Sequence, residues 1–373
     1  MKRYTSITII APDSATDMVT NIGVRYLPLN RGTSILKRLT AIPQAVRVLL
    51  RLAPDVCHFH DFEFLFALPL LKLLCRSKII YDVHEAYPEA ALASPIIPAF
   101  LRPFVALIVD KTEQILSRLA DYIITSDERI AERFYGRGSN LEIIFNYPDL
   151  IMFEQNKERI AELNHSYEGR IPIIYQGSMA EDRGLFHMIE AMDILKSVRP
   201  EVLLILAGNM SDALSRRVHS MIKSKSLHKQ IDVLGWIPHK DIVNYITIAK
   251  VGLVPLLPTE KFKKNIPIKQ FEYMACGVPI LGANLHPIAS YVLKAGCGKV
   301  YDSTRPDALA CGVMELLEDE QEWRRMSESG KRAVRDLWNW DEMEKRLLRV
   351  YENILGSCNE DERGASKKVG RES

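Results

Sequence analysis

An α/β fold with two Rossmann-like domains facing a cleft is what the sequence predicts, on three observations. Short apolar, β-branched runs alternate with longer helical patterns, which is how βαβ units and a parallel sheet read. The strand runs are apolar throughout, as in strands covered on both faces. The chain's 373 residues exceed one ordinary domain and suit two.

In the first half, strands are predicted at 7–10, 24–28, 56–59, 79–83, 122–125 and 141–145, with helices at 35–52, 64–74, 99–119 and 128–134. Residues 148–169 turn polar and charged, which reads as a linker or an edge helix at a domain boundary. A second series follows, with strands at 171–175, 202–207, 231–234, 251–254, 279–281 and 299–301. Helices fall at 184–198, 211–225, 239–248, 267–276, 305–318 and 320–336. The expected division is a first domain over 1–165, a second over 166–340, a last amphipathic helix over 341–355 and a disordered tail over 356–373. In open parallel sheets ligands sit at the carboxyl ends of the strands.

Composition excludes several classes. Hydrophobic residues make up 47% and charged residues 26%, the balance of a soluble globular protein. No stretch reaches the roughly 18 uninterrupted apolar residues that a membrane span needs, and the first residues do not read as a signal peptide. The six cysteines form no CxxC pair and no Cys/His cluster, so they read as reduced thiols of a cytoplasmic protein, with no metal expected. Residues 1–80 hold eleven Lys/Arg against five Asp/Glu, yet the net charge is only +2. That is too weak for a nucleic-acid binder and enough for one face that prefers an anionic surface.

Two segments of the second half carry donor chemistry. The strand at 171–175 runs into Gln176, Gly177 and Ser178, then Arg183. A glycine at a strand-to-helix turn lets a phosphate reach backbone N–H groups, and an arginine adds a charged clamp. A plain turn with a solvated arginine reads the same way. The second segment, Asn265 to Pro279, is a polar loop leading into a short helix with Lys269 and Glu272 on one face. An exposed ion pair is one reading. The apolar remainder of the helix favours another, in which a diphosphate partners the lysine and ribose hydroxyls partner the glutamate.

The run YQGSMAEDRGLFHMIEA from Tyr175, the turn Leu234-Gly235-Trp236-Ile237-Pro238 and the segment PIKQFEYMACGVPI together resemble the glycosyltransferase family 4 group of GT-B enzymes, in order and in spacing. The likeness spans nearly the whole chain, since Trp340 to Leu355 resembles the family's closing helix, which crosses back to the first domain. The resemblance implies a retaining transferase that moves a sugar from a nucleotide-diphosphate sugar to a glycan or lipid-linked acceptor, as in cell-surface polysaccharide synthesis. It implies that Arg183 and Lys269 neutralise the diphosphate with no metal, and that Gly177 and Ser178 bring backbone close. Glu272 would bond the ribose, and the turn at Trp236 and Ile237 would hold the base. Many relatives place a second glutamate eight residues before Glu272; here that position is Lys264.

In the first half two buried strands end in His-acid pairs, His60-Asp61 and His84-Glu85. A lone histidine is normally a satisfied structural one; two such pairs at parallel strand ends point toward function. Tyr81-Asp82-Val83-His84-Glu85 matches the family's YDxHE segment. The resemblance implies that His84 lies near the anomeric carbon, that His60, Asp61 and Glu85 serve the acceptor side, and that Asn146 faces the same space. Relatives usually begin with a further strand, loop and helix before the strand at 7–10. The first domain is therefore expected to lack its first strand and loop.

Residues 31–51 carry Arg31, Lys37, Arg38, Arg47 and Arg51, with apolar residues at helical spacing. This suits either a helix lying on an anionic membrane at the inner face of the cell or a core-facing helix with a solvated basic face. Three other readings compete: a truncated, catalytically impaired donor-binding protein, a GT-B sugar-nucleotide epimerase, and a NAD oxidoreductase, which the absence of any GxGxxG after an early strand disfavours.

Overall fold

The computed structural model describes residues 6–12, 25–29, 35–94, 96–136, 138 and 140–369. The chain divides into two compact units, Met1–Phe145 with Met343–Ser373, and Asn146–Glu342.

In the first unit β1 (Thr8–Pro12) and β2 (Arg25–Leu29) form a parallel pair of their own. A separate parallel sheet has the order β3 (Val56–Phe59), β4 (Lys78–Val83), β5 (Tyr122–Thr125), β6 (Asn140–Ile143). Among the described residues β3 has no strand neighbour other than β4. Cys57, Phe59, Tyr81 and Val83 point into the core, against Leu65 and Leu68. Their alternates on β3 and β4 therefore share the opposite face. One helix was expected over 99–119; it is Arg102–Leu116 followed by a 3-10 turn, and a further helix forms at Tyr87–Ala93. Glu113, fully buried, accepts hydrogen bonds from Tyr81 (2.8 Å) and Arg133 (2.5 Å), which ties the long helix to β4.

The helix Ile35–Leu52 resolves one ambiguity in the sequence. Val46 and Leu49 are buried in the unit's core and Ile42 packs against it, while Arg47 and Arg51 are exposed. The apolar stripe is spent on the core along this half, so the core-facing reading holds there. Arg31 and the side chains of Lys37 and Arg38 lie outside what the structure describes.

In the second unit six parallel strands run β7 (Ile171–Gln176), β8 (Val202–Ala207), β9 (Ile231–Gly235), β10 (Val251–Val254), β11 (Ile280–Ala283) and β12 (Gly298–Tyr301). Their order in the sheet is β12-β11-β10-β7-β8-β9. The winding reverses between β7 and β10, so the switch point of a doubly wound sheet lies at the carboxyl end of β7. Ile173, Leu204, Leu253 and Leu281 are fully buried in its core. The helix Lys269–Cys276 is backed by rings: Phe271 meets Tyr147 and Tyr291 at 4.9 Å, and Tyr291 meets Trp338 at 4.8 Å, all edge to face. Tyr291 is carried by a helix, His286–Ala295, beyond those expected in this unit.

The division between units differs from the expected boundary at 165. The polar stretch contains a helix, Lys157–Ser166, capped by the Asn156 side chain, and the Asn156 N–H donates to Asn244 at 3.1 Å. That helix is part of the second unit, which begins at Asn146. The last helix, Trp340–Val369, joins the first unit from Met343 onward. There the Met343 sulfur accepts from the Phe145 N–H (3.3 Å) and Arg346 pairs with Glu142 (3.6 Å). This helix continues through most of the segment expected to be a disordered tail.

Candidate functional site

Lys269 opens its helix, yet its side chain is buried and its Nζ has no hydrogen-bond partner. The ammonium stands 3.7 Å from the centre of the Tyr175 ring. Burial, and then the nearby Arg183 guanidinium, hold its pKa well below the usual lysine range; Glu272 works against both. Arg183 reaches the same tyrosine through its phenol and lies 5.8 Å over the Phe262 ring. Two cations far apart in sequence thus meet at one fully buried tyrosine, whose hydroxyl donates to the Ser178 carbonyl at 2.9 Å. Without an anion this arrangement is unfavourable: an unpaired buried ammonium costs solvation, and a like charge adds repulsion.

The backbone beside them is bare. A Cβ on Gly177, at φ +113°, would stand 3.5 Å from Lys269 Nζ. A Cβ on Gly208 would fall 1.9 Å from the Gly177 carbonyl oxygen. The Gly177 N–H donates to Ala207 (2.8 Å) and the Gly208 N–H to Gly235 (2.6 Å). The carboxyl ends of β7, β8 and β9 are therefore laced edge to edge, with glycine at each exit. Glu272, one turn beyond Lys269, accepts from the Gln176 amide and from His239 Nε2 at 3.3 Å. That contact raises the His239 pKa.

Of the other residues singled out in this unit, Ser178 and Trp236 are exposed and Ile237 is half-buried at the exit of β9. Lys264 and Asn146 are exposed. Gly208 and His239 were not foreseen, and Gln176 was read only as part of the turn, not as a partner of Glu272. A glycine directly after the β8 run was the only sequence signal among them.

In the first unit His60 and His84 both contact Asp82, at 3.3 Å and 3.2 Å. His58, not singled out from sequence, joins them at 3.1 Å. Burial would push the Asp82 carboxyl up; the three histidine contacts outweigh it and hold the group far below the usual carboxylate range. Contact with Asp82 raises the His84 pKa. Glu85 is exposed, and half-buried Asp61 begins the 3-10 turn Phe62–Ala67 without capping it.

The model of the glycosyl transferases group 1 family matches residues 156–333, and that of the glycosyl transferase 4-like domain matches residues 6–143. The chain belongs to the group 1 glycosyltransferases. This family member is 25% identical over 179 residues to a GDP-mannose-dependent monoacylated alpha-(1-6)-phosphatidylinositol monomannoside mannosyltransferase of Corynebacterium glutamicum, an alignment covering 46% of this chain and 44% of that one. It thus spans less than half the length of that curated relative. Its fold is that of GT-B transferases. A sucrose-phosphate synthase from Thermosynechococcus elongatus superposes with a TM-score of 0.69 at 19% identity, over 90% of this chain and 84% of the other. Anabaena HepE in complex with UDP superposes with a TM-score of 0.73 at 13% identity, over 94% and 100% of the two chains. None of the described helices is long and apolar enough to cross a membrane.

Proposed function

We propose that this group 1 glycosyltransferase is a retaining enzyme that moves a sugar from a nucleotide-diphosphate sugar to a glycan or lipid-linked acceptor at the inner face of the membrane, in cell-surface polysaccharide synthesis. One observation carries the donor side: the buried, unpartnered Lys269 ammonium beside Arg183 at the switch point of the sheet. A diphosphate supplies the two negative charges that this pair lacks and accepts N–H bonds at the glycine exits. The two cations then stabilise the leaving diphosphate as charge develops on it, the task a metal performs in other transferases. Glu272, held by Gln176 and His239, has the acceptor oxygens to fix ribose hydroxyls, and the turn at Trp236 and Ile237, at the exit of β9, is the segment we assign to the base. The UDP held by the Anabaena protein supports a nucleotide donor; the Corynebacterium relative is described by GDP-mannose.

A lipid-linked acceptor draws support from the first unit. Ile96, Phe100 and Phe104 are 84%, 82% and 61% exposed, on the stretch entering the helix Arg102–Leu116. Three large apolar side chains that near one another in sequence suit a bilayer surface or a lipid tail better than water. On this reading the apolar side chains at 96–104 supply a membrane contact in addition to the basic stretch at 31–51. A second reading, a donor-binding protein with impaired transfer, is favoured by the unpartnered edge of β3 among the described residues.

Two measurements test the donor site. Arg183→Ala is expected to weaken nucleotide-diphosphate binding by about 1.5–3 kcal/mol, the worth of a charge-assisted bond. A panel of UDP-, GDP- and ADP-sugars in thermal shift identifies the donor, and unchanged affinity in the variant removes the site. Because the free protein depresses the Lys269 pKa and a bound diphosphate restores it, binding takes up a proton at pH values between the depressed and the restored pKa. Affinity is therefore expected to fall as pH rises through the depressed pKa. Across the pH range the calorimetric heat should differ between Tris and Hepes; equal heats at every pH would mean that binding takes up no proton at Lys269. Transfer of label to an isolated lipid-linked glycan separates the working enzyme from the impaired one.

A further inference from the structure

The face of β3 and β4 opposite the core collects a set of groups that the proposed diphosphate site does not use. His58 and His60 alternate on β3 and its exit, and Asp82 and His84 on β4 and its exit. His58 pairs with Ile80 in the ladder, so the same parity brings His60 beside Asp82. We propose that His58 Nε2, His60 Nδ1 and Asp82 Oδ2 form a three-ligand site for a divalent first-row transition metal, with Zn2+ the ion to test.

The geometry supports this in three ways. First, the three donor atoms lie within 4.8 Å of one another. Two of the separations are 3.1 and 3.3 Å. Tetrahedral zinc with bonds of about 2.0–2.2 Å spans its ligands by about 3.3–3.5 Å, so the two imidazole–carboxylate separations already fit and the two imidazoles must close on each other within the 4.8 Å limit. Second, two imidazoles and one carboxylate are a recurrent set for Zn2+ and its neighbours, and they leave a position open for water. His60 is the exposed member, which gives an ion a way in. Third, the supporting contacts that orient metal ligands are present. Tyr351 Oη sits 2.7 Å from His58 Nδ1, which fixes that ring with Nε2 toward Asp82. Asp82 is buried and its other oxygen, Oδ1, makes no well-aligned hydrogen bond although His84 Nε2 stands 3.2 Å away. Two neutral N–H groups hydrogen-bonded to the carboxylate would show similar distances, and metal affinity is what separates the two.

Calorimetric titration of the chelator-stripped full chain with ZnCl2, without nucleotide, is the test. It is expected to show one equivalent bound at micromolar concentration or tighter. Asp82→Asn and His60→Ala should each weaken it more than tenfold, and Tyr351→Phe by about 10-fold or more through lost orientation. His60 is half out of the fold, so His60→Ala keeps the test valid if Asp82→Asn unfolds. Co2+ should bring the visible bands of a four-coordinate ion, lost in His60→Ala. His165→Ala, at a solvent-exposed histidine elsewhere, should change nothing. No stoichiometric binding by the wild type, or binding that survives in His60→Ala, overturns the proposal. Since no nucleotide is present, the outcome is independent of whether the donor site has been read correctly.

Discussion

Lys269→Met is expected to raise the melting temperature of the ligand-free protein and to abolish nucleotide-diphosphate binding. The wild-type ammonium is buried without a hydrogen-bond partner, so the free protein carries a solvation cost that a thioether of similar length does not. Relief of about 1–3 kcal/mol is in scale with buried unpaired polar groups. In a domain of this size that moves the melting point by roughly 2–4 °C per kcal/mol. The sign with pH is fixed by linkage. A lysine whose folded pKa is depressed binds fewer protons folded than unfolded in the window up to 10.5. Wild-type stability therefore rises with pH through that window, and the methionine variant loses this slope. Scanning calorimetry across pH, with UDP titration alongside, reads both effects. A variant that melts lower than wild type and still binds would mean that the ammonium is already satisfied without an anion.

Gly208→Ala should be among the most damaging single methyl additions in the second unit. The new Cβ would fall 1.9 Å from the Gly177 carbonyl oxygen, and the three nearest atoms are all Gly177 backbone, with no flexible side chain to swing away. Relief requires parting the exits of β7 and β8, which breaks the Gly177 N–H bond to Ala207. A loss of about 2–4 kcal/mol is expected from overpacking and strain, read as a lower urea midpoint. Nucleotide affinity should fall with it, because the same parting moves Gly177 away from Lys269. A midpoint unchanged by the substitution would mean that the two loops are not held in register.

Much of the second unit was legible in the sequence because continuous apolar runs announce buried parallel strands without tertiary help. The helix Lys157–Ser166 escaped as a domain element because its residues are polar, and only its cap and its bond to Asn244 place it. His286–Ala295 escaped because its largely apolar residues do not separate a helix from a buried strand by pattern alone. At the site, Lys269 and Arg183 were legible as charges in an otherwise apolar or glycine-bearing context. His239 and Gln176 were not, since their meaning lies in a carboxylate that the fold brings to them from 33 and 96 residues away. Tyr351 is more remote still, 293 residues from His58. A polar residue in a surface helix looks the same in a sequence whether it faces water or a partner.

The ring stack of Tyr147, Phe271, Tyr291 and Trp338 behind the lysine-bearing helix acts as an anvil. Interlocked edge-to-face rings repack only together, so the helix they back is held in one position. On the proposed donor reading, a change of nucleotide should therefore begin at the turn around the exposed Trp236 rather than at the lysine-bearing helix.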